Sequence, residues 1–232
     1  DVEVVSQDQF GHVSVGGTGL DDAFAFFATP NVDEGPITRT LAHESFHTWI
    51  PGRVGGMPEE GEAASYWFSE GFTDFYTGRM LVRAGIWSPQ QFAADLNESL
   101  AEYAASPVRD APNARIVADF WNDRDVQQLP YQRGRLLATI WDARLRADGR
   151  SLDAAMLEMR RRAQEDEPLK AAALLPAVLD GMRLDIRPDI ATYAEAGARV
   201  ALRETMALPA TAPAMGVPDW ARSSVATAPE RM

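Results

Sequence analysis

The sequence predicts an α+β protein, with a small N-terminal β-sheet followed by a mostly helical half. Up to about residue 36, the runs 2–5, 9–15 and 20–29 are short and carry Val and Phe. They are separated by Gly16-Gly17 and closed by Thr29-Pro30-Asn31, the composition of strands and their turns. From Ile37 onward, apolar residues recur at helical spacing, with Pro and Gly between the periodic stretches. A chain of 232 residues that is 46% hydrophobic is also long and apolar enough to bury a sizeable core.

Taken in order, the first helix is expected from Ile37, with Leu41, Phe46 and Ile50 apolar, until Pro51-Gly52 stops it. Residues 51–62 hold four glycines and two prolines and read as a loop. A second helix is expected from about Ala63 through Ala84, ending at Gly85 and carrying a dense aromatic series from Tyr66 to Tyr76. Ser88, Pro89 and Gln91 form the start of a third helix: Ser88 as N-cap, Pro89 at the first helical position, Gln91 closing a capping box. Residues 106–130 read as irregular, and Pro130 with Tyr131 as the start of a helix running to Arg146. Further helices are expected near 152–164, 168–180 and 188–205. The organisation implied is a subdomain of sheet plus two helices over 1–85, a helical subdomain over 86–208 and an extended tail over 209–232, where four prolines fall. Flanking domains are expected to lie outside this chain.

Composition excludes several roles. The chain has 22 basic and 34 acidic residues, a net charge of -12, which disfavours nucleic acid and anionic membrane surfaces as partners. Its one dense cationic run, Arg160 to Arg162, is followed at once by Glu165, Asp166 and Glu167. No apolar run has the length of a membrane span, so no membrane insertion is expected. With no cysteine, any metal must be held by His, Asp or Glu. The start has neither methionine nor a basic leader, which leaves a cytoplasmic and an exported, processed protein equally open, and the oligomeric state is not readable.

Two of the three histidines lie in His43-Glu44-Ser45-Phe46-His47. Positions i and i+4 share a helix face, so both imidazoles can meet one zinc ion while Glu44 projects toward its water. Such a five-residue pattern arises by chance in roughly one chain of this length in a few hundred, so it needs partners elsewhere. Glu70 is the candidate third ligand, a carboxylate inside an aromatic helical stretch where burial without a partner is costly. Asp74 follows one turn later and can accept a hydrogen bond from the outer nitrogen of a zinc histidine. An exposed Glu70, a surface Asp74 and a packed Tyr131 are the plain alternatives. His12 lacks a motif and reads as structural.

His43-Glu44-Ser45-Phe46-His47-Thr48-Trp49 with Trp67-Phe68-Ser69-Glu70-Gly71-Phe72-Thr73-Asp74 resembles the gluzincin metallopeptidases, and is most similar to the bacterial glycyl aminopeptidase family, whose members often carry a PDZ domain. The likeness continues at Tyr131-Gln132-Arg133-Gly134. It implies a thermolysin-like catalytic domain with the cleft between its two halves. It also implies one zinc held by His43, His47 and Glu70, Glu44 as general base, and Tyr131 stabilising the transition state. The implied activity is peptide-bond hydrolysis, as an aminopeptidase on small peptides. One departure bears on that. Relatives have an upstream glutamate that binds the free amine, whereas here the matching stretch is Gly16-Gly17-Thr18-Gly19-Leu20-Asp21-Asp22, with Gly19, Leu20 and Asp21 the candidate substrate-binding residues. Either Asp21 anchors the amine with a shorter reach, or the anchor is lost and the enzyme is an endopeptidase. A zinc-binding interaction domain with an idle site is the non-enzymatic alternative.

Overall fold

The computed structural model describes residues 13–19, 23–165 and 168–200. The expected strand at 2–5, most of the run 9–15, His12, Leu20, Asp21 and the tail 209–232 lie outside these described residues. Strand β1 (Val15–Gly19) pairs antiparallel with β2 (Phe24–Ala28), in the register Val15↔Ala28, Gly17↔Phe26 and Gly19↔Phe24. The hairpin lies on α1 (Glu34–Phe46), which starts before Ile37 because Asp33 already holds an extended N-cap conformation. The helix stops at Phe46 rather than at Pro51. His47 keeps helical dihedrals as its C-cap, so the i, i+4 relation to His43 survives.

A 3₁₀ turn over Glu62–Ser65 leads into α2 (Tyr66–Arg83), which ends as expected at Gly85 (φ +73°). Helix α3 (Pro89–Ala105) has the expected capping box: the Gln91 N–H donates to Ser88 Oγ (3.2 Å) and the Ser88 N–H to Gln91 Oε1 (2.8 Å). The stretch 106–130 is irregular only in part, over 106–112 and 120–123. It contains α4 (Asn113–Asp119) and the first turns of α5 (Arg124–Ala147). The start of α5 is set by Asp123, whose Oδ1 accepts from the N–H groups of Asp125 and Val126, satisfying donors the helix start leaves free. Pro130 therefore falls inside the helix, where it lacks one backbone donor, and Tyr131 is an interior residue.

Ser151 caps α6 (Leu152–Ala163) through Ala154 N–H, and α7 (Ala171–Gly181) follows. Over the described part of the helix expected at 188–205, which ends at residue 200, a short helical turn Arg187–Asp189 runs into a π-turn, Ile190–Glu195. The stop is Gly197 (φ +78°), where an added Cβ would meet the Ala111 backbone at 2.6 Å.

The core is centred on α2 against α5. Trp67, Phe68 and Phe72 pack on Trp141, Leu136 and Leu137, with the Trp67 and Trp141 rings edge to face at 6.0 Å. This crossing is unusually close because it is made by glycines. A Cβ on Gly134 would lie 1.8 Å from the Trp67 carbonyl oxygen, and one on Gly71 would lie 2.4 Å from Gly134 Cα. Glycine costs a helix interior roughly 0.5–1 kcal/mol relative to alanine, and here it lets two backbones meet. Gly71 directly follows Glu70, and Gly134 lies one turn after Tyr131 on the same face. The close crossing is thus what brings those two side chains to one place.

Candidate metal centre

Three ligand-type atoms converge where α1 passes α2. His43 Nε2 lies 3.1 Å from His47 Nε2 and 3.2 Å from Glu70 Oε2, and His47 Nε2 lies 3.3 Å from Glu70 Oε2. Bonds of about 2.0–2.1 Å to a tetrahedral ion put its ligand atoms about 3.3–3.4 Å apart, so the spacing fits a metal-ligand set. Among the described residues this is the group of side chains able to hold a metal ion.

The outward nitrogens support the same orientation. His43 Nδ1 donates to Asp74 Oδ1 at 2.8 Å, and His47 Nδ1 donates to the Ile50 carbonyl at 3.0 Å, which also accepts from Thr73 Oγ1. With both Nδ1 atoms carrying the proton, both Nε2 lone pairs point inward. Behind Asp74 stands a run of paired charges. Arg39 Nη2 bonds Asp74 Oδ1 at 3.0 Å, Arg39 Nε bonds Asp95 Oδ1 at 2.8 Å, and Arg135 closes on Asp95 Oδ2. Burial alone would raise the Asp74 carboxyl, but Arg39 and His43 hold it well below the usual carboxylate range.

The metal-free triad carries protons accordingly. Burial works against a charged His43, yet its bonds to Asp74 and Glu70 lift it to about 9. Burial would raise Glu70, and its bonds to both histidines instead hold it at about 2. A bound cation replaces the proton in that exchange.

Glu44 does not join the triad. It is 8% exposed, and Gly17 of β1 is packed over it so closely that a Cβ there would meet Glu44 Cγ at 2.6 Å. Burial raises its carboxyl, with the two histidines acting in opposition. Tyr131 lies with its ring stacked on His43, centroids 5.8 Å apart. Burial, then the carboxylates of Glu70 and Asp74, push its hydroxyl far above the ordinary phenol value, so it stays protonated and can donate. Glu44, His47, Glu70 and Tyr131 all line one cleft of about 970 Å³, walled by Gly17, Tyr66, Phe120 and Trp121.

Of the residues singled out from sequence, the structure brings together His43, Glu44, His47, Glu70, Asp74 and Tyr131. Gly19 pairs with Phe24 at the end of β1; Leu20 and Asp21 lie outside the described residues. Sequence reasoning missed Gly17, Gly71, Gly134 and the Arg39–Asp95–Arg135 run. The glycines had a local signal, since Gly71 and Gly134 each interrupt a helix, whereas the charged run joins residues far apart in the chain and had none.

The model of the M61 glycyl aminopeptidase family matches residues 37–125. The chain is similar to the M61 peptidases. The matched segment holds both histidines, Glu44, Glu70 and Asp74 and stops short of Tyr131, and the match implies a hydrolase acting on peptides. No curated protein sequence matches the chain. No helix among the described residues is long and apolar enough to cross a membrane.

Proposed function

We propose that this chain is a zinc-dependent peptidase with a thermolysin-like catalytic domain, acting as an aminopeptidase on small peptides. The observation that carries the reading is the 3.1–3.3 Å convergence of His43, His47 and Glu70, with Glu44 and Tyr131 on the same cleft. An all-nitrogen-and-oxygen set of two imidazoles and one carboxylate suits zinc, which keeps a fourth position for water or substrate. Bound there, zinc supplies Lewis acidity toward the scissile carbonyl and the attacking water.

The remaining work falls to side chains. Glu44, its carboxyl raised by burial, takes the proton from the attacking water and later delivers it to the leaving amine. The Tyr131 hydroxyl donates to the oxygen that gains charge as the carbonyl carbon becomes tetrahedral. Asp74 and the Ile50 carbonyl fix the two imidazoles through their Nδ1 protons. Gly17 keeps β1 against Glu44 and limits where that carboxylate can swing. An amine anchor at Gly19, Leu20 and Asp21 belongs to the same proposal.

The test has two parts. Purified protein should carry about one zinc per chain, and Glu44→Gln should keep the metal while turnover falls by about 10²–10⁴-fold. A metal-free preparation with full activity would overturn the mechanism. Comparing free with N-acetylated peptides then separates the exopeptidase from an endopeptidase: equal rates on both would remove the amine anchor.

A further inference from the structure

The cleft beside the metal centre has an aromatic wall where α2 begins. Tyr66 and Glu70 are one turn apart on α2 and share a face, so the Tyr66 ring stands next to the third ligand. The Phe120 ring packs on Tyr66 with centroids 4.5 Å apart, and the Trp121 ring meets Phe120 edge to face at 4.9 Å. Phe120 is 4% exposed and is the buried support of the wall. Tyr66, half-buried, and Trp121, 77% exposed, are the surfaces a ligand in the cleft can touch.

Trp121 is exposed on a backbone that is tied down. It stands in the turn between α4 and α5, where the Phe120 N–H donates to the Ile116 carbonyl and the Asn122 and Asp123 N–H groups both donate to the Asp119 carbonyl, each at 2.9 Å. Its neighbour Phe120 is buried, and Asp123, two residues on, caps α5. Tryptophan is highly buried on average in folded proteins. A single exposed apolar side chain calls for no explanation, but this one extends a row of rings along the wall of the cleft that holds Glu44, Glu70 and Tyr131. Aromatic side chains on a fixed backbone give a ligand contact area at little further cost in ordering.

We propose that Tyr66 and Trp121 form a substrate subsite for a large apolar side chain, aromatic or branched aliphatic, on a residue adjoining the scissile bond, with Trp121 setting the preference. The subsite rests on the peptidase reading of this cleft and gives it a side-chain class. Side chains one turn apart on a helix stand about 5–6 Å from each other, and successive residues of a peptide about 3.8 Å. A carbonyl held where His43, His47 and Glu70 converge therefore brings the side chain of an adjoining residue to Tyr66. A cation over the rings is the competing occupant. The carboxylate nearest Tyr66 on its outer side is Glu62, which is exposed and has one oxygen 3.5 Å from the Tyr66 hydroxyl, so solvent screens its pull on a cation. Apolar area is what the wall chiefly offers.

Binding of short free-amine peptides to zinc-loaded Glu44→Gln protein tests the wall without turnover. The first or the second residue, which flank the bond an aminopeptidase cuts, is varied among alanine, leucine, phenylalanine and lysine. At one of the two positions leucine and phenylalanine should bind about 10–100-fold tighter than alanine, the effect of burying a large apolar side chain. Trp121→Ala should bring that ratio toward one, and Trp121→Phe should keep most of it. A general loss of structure would weaken the alanine and phenylalanine peptides alike, so the ratio reads the wall even if a variant unfolds more readily. No apolar preference at either position, a preference that survives Trp121→Ala, or lysine bound as tightly as phenylalanine would each overturn the subsite. Turnover by wild-type protein is followed in parallel. Cleavage of the peptides with no apolar preference in binding removes the subsite alone. A preference that depends on Trp121, in a protein that cleaves none of the peptides, removes the peptidase reading and leaves an apolar binding site in place.

Discussion

Helices α2 and α5 bury charge at two places, and the two are built on opposite plans. Toward the C-terminal end of α2, Asp142 of α5 is fully engaged: Arg79 Nη2 and Arg146 Nε donate to its Oδ2, both at 2.7 Å, and the Leu152 N–H donates to its Oδ1 at 2.9 Å. Toward the N-terminal end, His43 and His47 are held from outside by Asp74 and the Ile50 carbonyl, and their Nε2 atoms meet Glu70 Oε2 at one point at the edge of a cleft. Burial of charge is common to both. Convergence of three ligand-type atoms next to open space distinguishes a site from a strut.

Removing Asp142 should give the largest effect on folding and none on the metal. Asp142→Ala leaves buried Arg79 without its counter-ion, a loss of about 3–5 kcal/mol of unfolding free energy, while zinc per folded chain stays at the wild-type value. Denaturant unfolding and metal analysis on one preparation check this. A pH series adds a sign. Burial would raise the Asp142 carboxyl, and Arg79 with Arg146 holds it below its ordinary value. A carboxyl lowered by folding stabilises above its unfolded pKa of about 4 and loses that contribution as pH falls through the folded value. The gap between wild type and Asp142→Ala should therefore narrow in acid.

At the other place the order reverses, with activity responding and stability hardly moving. Tyr131→Phe should lower kcat by about 10²–10³-fold, the cost of one donor to a developing oxyanion, with zinc content and unfolding unchanged. An unaltered kcat would reduce Tyr131 to a packing role. Gly71→Ala affects both places, because a methyl 2.4 Å from Gly134 Cα forces α2 and α5 apart. A destabilisation of about 1–3 kcal/mol is expected for such overpacking, with turnover reduced further as Tyr131 withdraws from His43. If Gly71→Ala lost stability yet kept full turnover per folded molecule, the crossing would not be what sets the site.

The same contrast separates what is legible in the amino-acid sequence from what is not. His43, Glu44, His47 and Glu70 are legible because helical spacing turns sequence distance into shared faces, and because a carboxylate among Trp67, Phe68 and Phe72 demands a partner. The Ser88 cap and the stop at Gly85 are legible for local reasons of the same kind. The start of α5 is not, since Pro130 imitates a first helical residue and the actual cap, Asp123, lies a full seven residues earlier. Nor are the contacts that join distant segments. Gly17 over Glu44 and Arg39 between Asp74 and Asp95 depend on how α1, α2, α3 and the hairpin come to rest, which no local pattern encodes.

Asp74 belongs to both plans, and its substitution gives the finest test of the difference. Toward His43 it orients a ligand; toward Arg39 it is a partner in a structural pair. Asn at this position still offers an oxygen to the His43 Nδ1 proton but no charge to sustain it, so zinc affinity should fall by about 10–100-fold, as for other partners behind a metal ligand. Stability should change less than in Asp142→Ala, because Arg39 keeps Asp95. Competition against a chelator measures the first quantity and denaturant unfolding the second. An Asp74→Asn protein that bound zinc as tightly as wild type but unfolded as readily as Asp142→Ala would move Asp74 from the site to the strut.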